Sequence, residues 1–233
     1  MKRADIFPVT SINIRVAPYD WPFLQKARCE IDDFWRELSA RKPQVYDGRV
    51  LLLHAHVWRD GHLEGCAFET AYSAFMTWKS LGFPGDDVCN FFGMAALRSS
   101  DGAFLLGEMG AWTANAGQSY FPAGTPEPAD CRDGSVDLAS SVARECQEET
   151  GLRDEEIDDR GTWVAIRQHA QIALMRDMRV RLPAEEARQL IEARMAGQDE
   201  PELARIRIVR QASDAKGLIM PGFMQPFLDQ ALA

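Results

Sequence analysis

The sequence feature that most constrains this chain is a nine-residue stretch, residues 144–152 (RECQEETGL). Upstream of it, Asp137 can cap the N-terminus of a helix, and Gly151 suits the left-handed residue that ends one. The thirteen positions between these two residues hold neither proline nor glycine. This spacing predicts a helix of about three turns.

Three carboxylates share one face of this predicted helix. Glu145, Glu148 and Glu149 follow the spacing i, i+3 and i+4, which brings side chains together on a helix. Like charges repel, and a hard divalent cation such as Mg²⁺ relieves the repulsion because it prefers oxygen ligands. Arg144 precedes Glu148 by four residues and can orient it. The pattern predicts a metal site, and the alternative is a solvated acidic helix face.

A neighbouring stripe of the same helix is apolar. Leu138, Val142 and Cys146 recur every four residues, as expected of a helix that packs against a sheet. The position of Cys146 on this stripe favours a small core residue over a catalytic nucleophile.

Residues 144–152 resemble the second half of the Nudix box, Arg-Glu-aliphatic-x-Glu-Glu-x-Gly-aliphatic, with Cys146 and Leu152 at the aliphatic positions. The resemblance implies an α/β fold, in which a mixed sheet lies between helices. It also implies Mg²⁺-dependent hydrolysis of a nucleoside diphosphate linked to another moiety, with Mn²⁺ as a possible substitute. Metal ligands would be the three glutamates, with Arg144 as an orienting catalytic residue.

The first half of the box departs from the family pattern. Counted back from Arg144, Val136 stands at the usual Glu position and Asp130 at the usual Gly position. Asp137, one residue late, is the nearest carboxylate that could replace the missing Glu. A role for Asp137 as a helix N-cap alone is equally open.

Residues 121–128 (FPAGTPEP) are similar to the loop of the UDP-glucose pyrophosphatase branch of the Nudix hydrolases. That resemblance implies cleavage of a UDP-sugar to UMP and a sugar 1-phosphate, with Gly124 and Glu127 at the substrate. Glycine at positions 124 and 134 would let the backbone approach the metal site. ADP-sugars, ADP-ribose, other nucleotides and a non-catalytic nucleotide-binding module remain alternatives.

Further site candidates lie outside the box. Glu200 and Glu202 precede a predicted strand and could supply another carboxylate, although an exposed acidic turn is the plainer interpretation. We expect Glu202 and Arg167 to contact substrate. Other arginines that could hold a phosphate, or lie on solvated strand faces, are Arg176, Arg205 and Arg207.

The histidines give weaker signals. His54 and His56 point to one face of a predicted strand and could bind zinc, but no third ligand stands at a suggestive spacing. The favoured interpretation is that both histidines are hydrogen-bonded within the fold or exposed to solvent. His169 lies beside the predicted catalytic half and could touch substrate.

Composition limits the partners and the compartment. The net charge of −9 argues against a general nucleic-acid binder, because phosphate contacts need a basic surface. No apolar run approaches the ~18 residues of a membrane-spanning helix, and the N-terminus lacks the long apolar core of a secretory signal. Five cysteines without paired CxxC spacing fit reduced thiols. We therefore expect a cytoplasmic protein that binds neither nucleic acid nor membrane, and the resemblance implies a small nucleotide substrate as its partner.

Residues 82–87 (GFPGDD) form the clearest predicted boundary in the chain. They divide a smaller α/β N-terminal extension, residues 1–86, from a predicted Nudix domain, residues 87–233. The extension could recognise the substrate or form the interface of a homodimer.

Hydrophobic periodicity and turn residues predict the elements. Strands are predicted at residues 10–16, 49–58, 62–68, 88–98, 103–107, 162–169, 171–181 and 203–210. Helices are predicted at residues 21–41, 69–81, 138–150, 184–196 and 221–232. The acidic segment 153–159 is predicted to be a solvated loop.

Overall fold

The computed structural model describes residues 4–85 and 87–233. Its strands are β1 (Asp5–Val9), β2 (Ser11–Val16), β3 (Arg49–Arg59), β4 (His62–Ala71), β5 (Asn90–Arg98), β6 (Phe104–Met109), β7 (Ser119–Tyr120), β8 (Ala123–Gly124), β9 (Cys131–Arg132), β10 (Ser135–Val136), β11 (Ile157–Gln168), β12 (Gln171–Val180) and β13 (Leu203–Val209). Its helices are α1 (Pro22–Lys26), α2 (Arg28–Arg41), α3 (Tyr72–Ser80), α4 (Leu138–Thr150), α5 (Ala184–Met195) and α6 (Met224–Ala231). Short 3-10 helices lie at Pro128–Asp130, Asp154–Glu156 and Ala212–Ala215.

The larger sheet has the strand order β1-β11-β12-β5-β6-β13, and the short strands β7 and β8 pair with β6 and β5. Strands β5 and β12 run parallel, with Gln171 opposite Asn90. The other pairs in this sheet are antiparallel. The sheet is therefore mixed.

The smaller sheet has the order β3-β4-β2-β10-β9 and is also mixed, since β2 and β4 are parallel. Strands β9 and β10 come from the segment just before α4, so both sides of the predicted boundary contribute to this sheet. A bridge between Leu53 and Cys89 connects β3 to the start of β5 in the larger sheet. Asp86 and residues 1–3 lie outside the described residues, and the division near residue 86 stays a prediction.

Helices cover both faces of the larger sheet. On one face, a Cβ added at Gly93 in β5 would overlap Val142, so glycine lets α4 pack closely. The preceding residue, Phe92, contacts Phe223 just before α6, with ring centroids 5.8 Å apart. Successive strand residues point to opposite faces, so α4 and the start of α6 lie on opposite sides. The predicted α/β class, with a mixed sheet between helices, is confirmed.

Helix α4 forms as its sequence predicts. Asp137 caps it by accepting hydrogen bonds from the backbone N–H and the hydroxyl of Ser140, at 3.1 and 2.7 Å. Gly151 ends it with a left-handed φ of 68°. The predicted apolar stripe is buried, and Cys146 is fully enclosed. This packing therefore also fixes the direction of the neighbouring acidic face.

Tertiary pairing overrides some local signals. The loop predicted at residues 153–159 is wrong from residue 157 onward, because Ile157 pairs with Val180 and starts β11. Strand β1 was not predicted and pairs with β11 at the sheet edge. The single helix predicted at residues 21–41 is interrupted at Ala27, whose φ and ψ are −112° and 26°. Strand β4 continues to Ala71, so α3 starts later than predicted.

Helix α3 is anchored by a separate aromatic cluster. Trp78 is fully buried, and its indole N–H donates to the carbonyl of Pro84 at 3.0 Å. Its ring packs edge-on against Trp21 and Phe83. This anchor sets which side of α3 faces the rest of the chain. Among the described helices, none is both long and apolar enough to cross a membrane.

Candidate active site

Glu149 carries a buried carboxylate on α4 with one unsatisfied oxygen. The residue is only 4% exposed. Its Oε1 accepts a hydrogen bond of 3.0 Å from the backbone N–H of Ala123 in β8, whereas its buried Oε2 has no hydrogen-bond partner. Burial raises the pKa of Glu149 well above its usual value. An unpaired buried oxygen is costly, and contact with a cation would remove that cost.

Glu145 lies against β8. A Cβ at Gly124 would overlap the Glu145 carboxylate, so a residue without a side chain is needed at this contact. Burial, together with the charges of Glu148, Glu202 and Asp130, raises the pKa of Glu145 to about 7, although Arg144 opposes the rise. Near neutral pH this carboxylate can therefore accept a proton.

Arg144 joins the acidic groups. Its Nη1 lies 2.9 Å from Glu145 Oε1 and 3.0 Å from Glu148 Oε2. Its Nη2 donates to Asp130 Oδ1 at 3.1 Å. One guanidinium therefore serves three carboxylates, and the cluster keeps an excess of negative charge.

Asp130 is the site residue that the sequence did not reveal. Its side chain is 5% exposed and accepts from Arg144, from the Ser141 hydroxyl at 3.1 Å and from the Glu127 N–H at 3.0 Å. The segment before α4 folds back on the helix, since the Asp137 N–H donates to the Asp130 carbonyl at 2.8 Å. Sequence spacing gives no sign of this fold-back.

Asp137, the predicted replacement for the missing box Glu, lies apart from the carboxylates that pair with Arg144. Besides capping α4, it pairs with Arg132 at 3.0 Å on the surface. Within the described chain, Asp130 rather than Asp137 meets Arg144. Asp130 thus carries the carboxylate that anchors Arg144.

Glu202 lies beside the cluster, although its own side chain is exposed. Its charge contributes to the raised pKa values of both Glu145 and Glu149. Its carbonyl accepts from the Gly110 N–H at 2.7 Å, which fixes the segment before β13. Glu200 is exposed.

A cavity of about 450 Å³ opens next to these carboxylates. Glu145 and Gly124 form part of its wall. Aromatic and methionine side chains supply much of the remainder, namely Tyr72, Phe75, Met76, Phe83, Phe92, Met94, Tyr120 and Phe223. Polar side chains in the wall are Lys79, Asn90, Asn115, Gln118, Thr125 and Gln171. Residues from both sides of the predicted boundary therefore enclose one space.

The predicted phosphate-binding arginines already have carboxylate partners. Arg167 pairs with Asp5 at 3.0 Å, and Arg176 pairs with Asp159 at 2.7 Å. Arg205 and Arg207 both pair with Glu108, at 3.4 and 2.5 Å. Neither these four arginines nor Glu127 belong to the cavity wall described above. Roles for Arg167 and Glu127 in substrate binding stay predictions.

The histidines take part in ring contacts. His54 stacks on Tyr19 with centroids 4.3 Å apart, and His56 lies edge-on to Trp58 at 6.4 Å. His169 packs near Phe83 with a centroid distance of 5.9 Å.

Within residues 4–85 and 87–233, no three His, Cys, Asp or Glu side chains are placed to hold one metal ion. At α4, Arg144 Nη1 occupies the space between the Glu145 and Glu148 carboxylates. The donor chemistry nevertheless suits a hard cation, since Glu149 Oε2 is unpartnered and the charges of Glu202, Glu145 and Glu148 act on this carboxylate.

Solved structures of other proteins include chains that are similar to this one. No family model and no curated relative matches the sequence. A Nudix hydrolase from M. smegmatis, RenU, is 17% identical over 59% of this chain and 79% of its own, with a TM-score of 0.38. The MutT protein from Methanosarcina mazei Go1 is 20% identical over 60% of this chain and 91% of its own, with a TM-score of 0.39. Likenesses this weak carry no argument about chemistry.

Proposed function

We propose that this protein is a Mg²⁺-dependent Nudix hydrolase that cleaves the diphosphate of a nucleoside diphosphate-linked substrate. The favoured substrate is a UDP-sugar, which would give UMP and a sugar 1-phosphate. One observation carries the proposal: the motif helix α4 places Glu145 in the wall of a ligand-sized cavity and leaves a buried oxygen of Glu149, on the same helix, without a partner. Mn²⁺ is a possible substitute metal.

Glu145, Glu148 and Glu149 would hold the cation, and Glu202 stands close enough to influence them electrostatically. When bound, a divalent cation neutralises phosphate oxygens and lowers the pKa of water. Glu145 and Glu148 would exchange their contact with Arg144 for contact with the cation. Arg144 keeps its bond to buried Asp130 and so stays in place beside them.

The reaction needs one nucleophile and one proton acceptor. The oxygen of a water molecule attacks one phosphorus, and the bond from that phosphorus to the bridging oxygen breaks. The bridging oxygen keeps the electron pair and leaves as part of a phosphate monoester. Glu145, which borders the cavity, accepts one proton of the water. The other proton stays on the new monoester until solvent removes it.

The cavity suits the nucleotide part of such a substrate. Its volume of about 450 Å³ lies in the usual range for small-molecule sites, ~300–1,000 Å³. Aromatic side chains such as Tyr72 and Phe75 offer flat surfaces to a base or a sugar. The similarity of residues 121–128 to the UDP-glucose pyrophosphatase loop favours uridine over adenosine.

A nucleotide-binding module without hydrolysis is the second candidate. The observation that favours it is the lack of three metal-ready carboxylates among the described residues. Such a module would bind nucleotide in the same cavity and release no product.

The deciding experiment is a hydrolysis panel of UDP-glucose, ADP-ribose and related nucleotides with Mg²⁺, with UMP and AMP measured by chromatography. We expect UMP from UDP-glucose and no product in excess chelator. AMP from ADP-ribose alone would change the substrate assignment. No product across the panel, with nucleotide binding retained, would overturn hydrolysis and support the module.

The remaining expectations have separate tests. A homodimer formed through residues 1–86 is tested by light scattering of the full chain. The cytoplasmic location and the absence of nucleic-acid and membrane partners stay predictions from composition.

A further inference from the structure

One wall of the cavity presents hydrogen-bond donors in a fixed arrangement. Lys79 Nζ, from α3, donates to Asn115 Oδ1 at 3.3 Å. Asn115 Nδ2 in turn donates to the hydroxyl of Tyr120 at 3.0 Å. All three residues border the cavity. Because the amide oxygen of Asn115 is already engaged by Lys79, this wall offers mainly donors to a ligand.

Lys79 has unused donors. Its ammonium group carries three N–H bonds, and within the described chain Asn115 Oδ1 is its one acceptor. No carboxylate among the described residues pairs with it. Burial lowers the pKa of Lys79, so the charged form is under-solvated without a ligand. Two N–H bonds thus remain for oxygen atoms of a bound molecule.

The surroundings of Lys79 suit a planar ring more than a phosphate. Tyr72, Phe75 and Met76 stand on the same helix and border the same space. Phe92 and Phe223, which contact each other, also border the cavity. Flat aromatic surfaces beside a charged donor group are expected where a base is held by its faces and recognised at its edge.

We propose that Lys79 recognises a carbonyl oxygen on the edge of the nucleobase, and so selects bases with a carbonyl over bases with an amino group there. Uracil and cytosine differ in this way, with an oxygen or an amino group on the same carbon. A cytosine amino group would face a second donor and lose the bond. The inference rests on the proposed function only in that the cavity holds a nucleotide.

Helix α3 is rigid enough to provide such selectivity. Trp78 is buried, and the backbone N–H of Ser73 donates to Asp47 Oδ1 at 2.7 Å. These contacts fix both ends of the segment that carries Tyr72 and Lys79. The N-terminal part of the chain would then choose the base, while α4 acts on the diphosphate.

The test is metal-free binding of UMP and CMP to the full chain, measured by calorimetry in the presence of chelator. We expect UMP to bind about tenfold more tightly, the size of one hydrogen bond to a charged group. Lys79→Met should reduce this ratio to about twofold, mainly by weakening UMP. Lys79→Gln offers both donor and acceptor and should also bring the ratio near one.

Lys42→Met is the matched control. The loop between β6 and β7, residues 110–118, contains Asn115, the partner of Lys79. Lys42 donates to the Thr113 carbonyl of the same loop but does not border the cavity. This variant should keep the wild-type ratio, and melting temperatures should show that all variants fold.

Three results would overturn the proposal. They are equal affinity of the wild type for UMP and CMP, no binding of either nucleotide, or equal weakening of both in Lys79→Met. The last result would place Lys79 at the phosphate. Since neither metal nor turnover enters the measurement, failure here is distinguishable from a failure of the proposed hydrolysis.

Discussion

Two arginines, Arg144 within α4 and Arg194 at the end of that helix, differ in the number of carboxylates that each one pairs with. Arg194, from α5, binds one carboxylate with both terminal nitrogens, at 2.6 and 2.8 Å to Glu156, and also donates to the Gly151 carbonyl at 2.7 Å. Arg144 faces three carboxylates at once, with Glu149 buried nearby. The first network is balanced, because one positive charge meets one negative charge, and its bond to the Gly151 carbonyl satisfies the end of α4. The second is short of positive charge, which is the condition that attracts a cation.

The largest expected effect comes from the unbalanced network. Glu149→Gln removes the buried carboxylate that has an unpartnered oxygen, so turnover in the hydrolysis panel should fall by at least about a hundredfold. The melting temperature in chelator should not fall, because an unpaired buried charge is lost. Glu155→Gln, which removes an exposed carboxylate on the 3-10 helix after α4, serves as control and should keep wild-type activity. Full activity in Glu149→Gln would refute the metal assignment.

A second substitution separates the two aspartates before α4. Asp130→Asn keeps the shape but weakens the hold on Arg144, and we expect kcat/KM to fall about tenfold, as for residues that orient metal ligands. Asp137→Asn should leave kcat/KM within about twofold, since Asp137 caps the helix and pairs with Arg132. Steady-state kinetics on both variants checks this. If Asp137→Asn lost more activity than Asp130→Asn, the assignment of Asp130 would be wrong.

The acidic face of α4 could be predicted because it depends on local spacing. Asp137, Gly151 and the three glutamates lie within one helix, whose periodicity fixes which side chains are neighbours. The apolar stripe that includes Val142 likewise predicted packing against a sheet, and in the structure it packs on β5. The α/β class was expected from the resemblance of residues 144–152 together with the order of the predicted helices and strands.

The parts that sequence did not reveal depend on long-range contacts. Asp130 reaches Arg144 because a 3-10 helix and the β9–β10 hairpin fold back on α4. Lys79 meets Asn115 across 36 residues of chain. Strand β11 begins inside the acidic segment at Ile157, where pairing with β12 outweighs local polarity. None of these contacts corresponds to a fixed residue spacing that can be recognised in the sequence.

The balanced network should affect stability more than activity. Arg194→Met removes the bonds to Glu156 and to the Gly151 carbonyl, so the free energy of unfolding should fall by about 1–3 kcal/mol. Urea denaturation measures this change. Turnover should stay within about threefold of wild type, because Arg194 does not border the cavity. Arg188→Met is a suitable comparison, since its pair with Glu185 lies within one exposed helical turn and should contribute under about 1 kcal/mol.

The smallest expected effect is the pH dependence of that balanced network. The hydrogen bond from Arg194, with the Arg153 N–H at 2.8 Å, lowers the pKa of Glu156 from 4.5 to about 2. A carboxyl whose pKa is lower in the folded state contributes its stability above pH 4.5, and the contribution disappears as pH falls toward 2. The difference in melting temperature between wild type and Glu156→Gln should therefore be constant from about pH 6 to 5 and shrink below 4.5. A difference that stayed constant down to pH 2.5 would show that Glu156 acts through shape rather than charge. The depressed pKa would then have no part in joining α5 to the end of α4, and the contrast between the two arginines would rest on Arg144 alone.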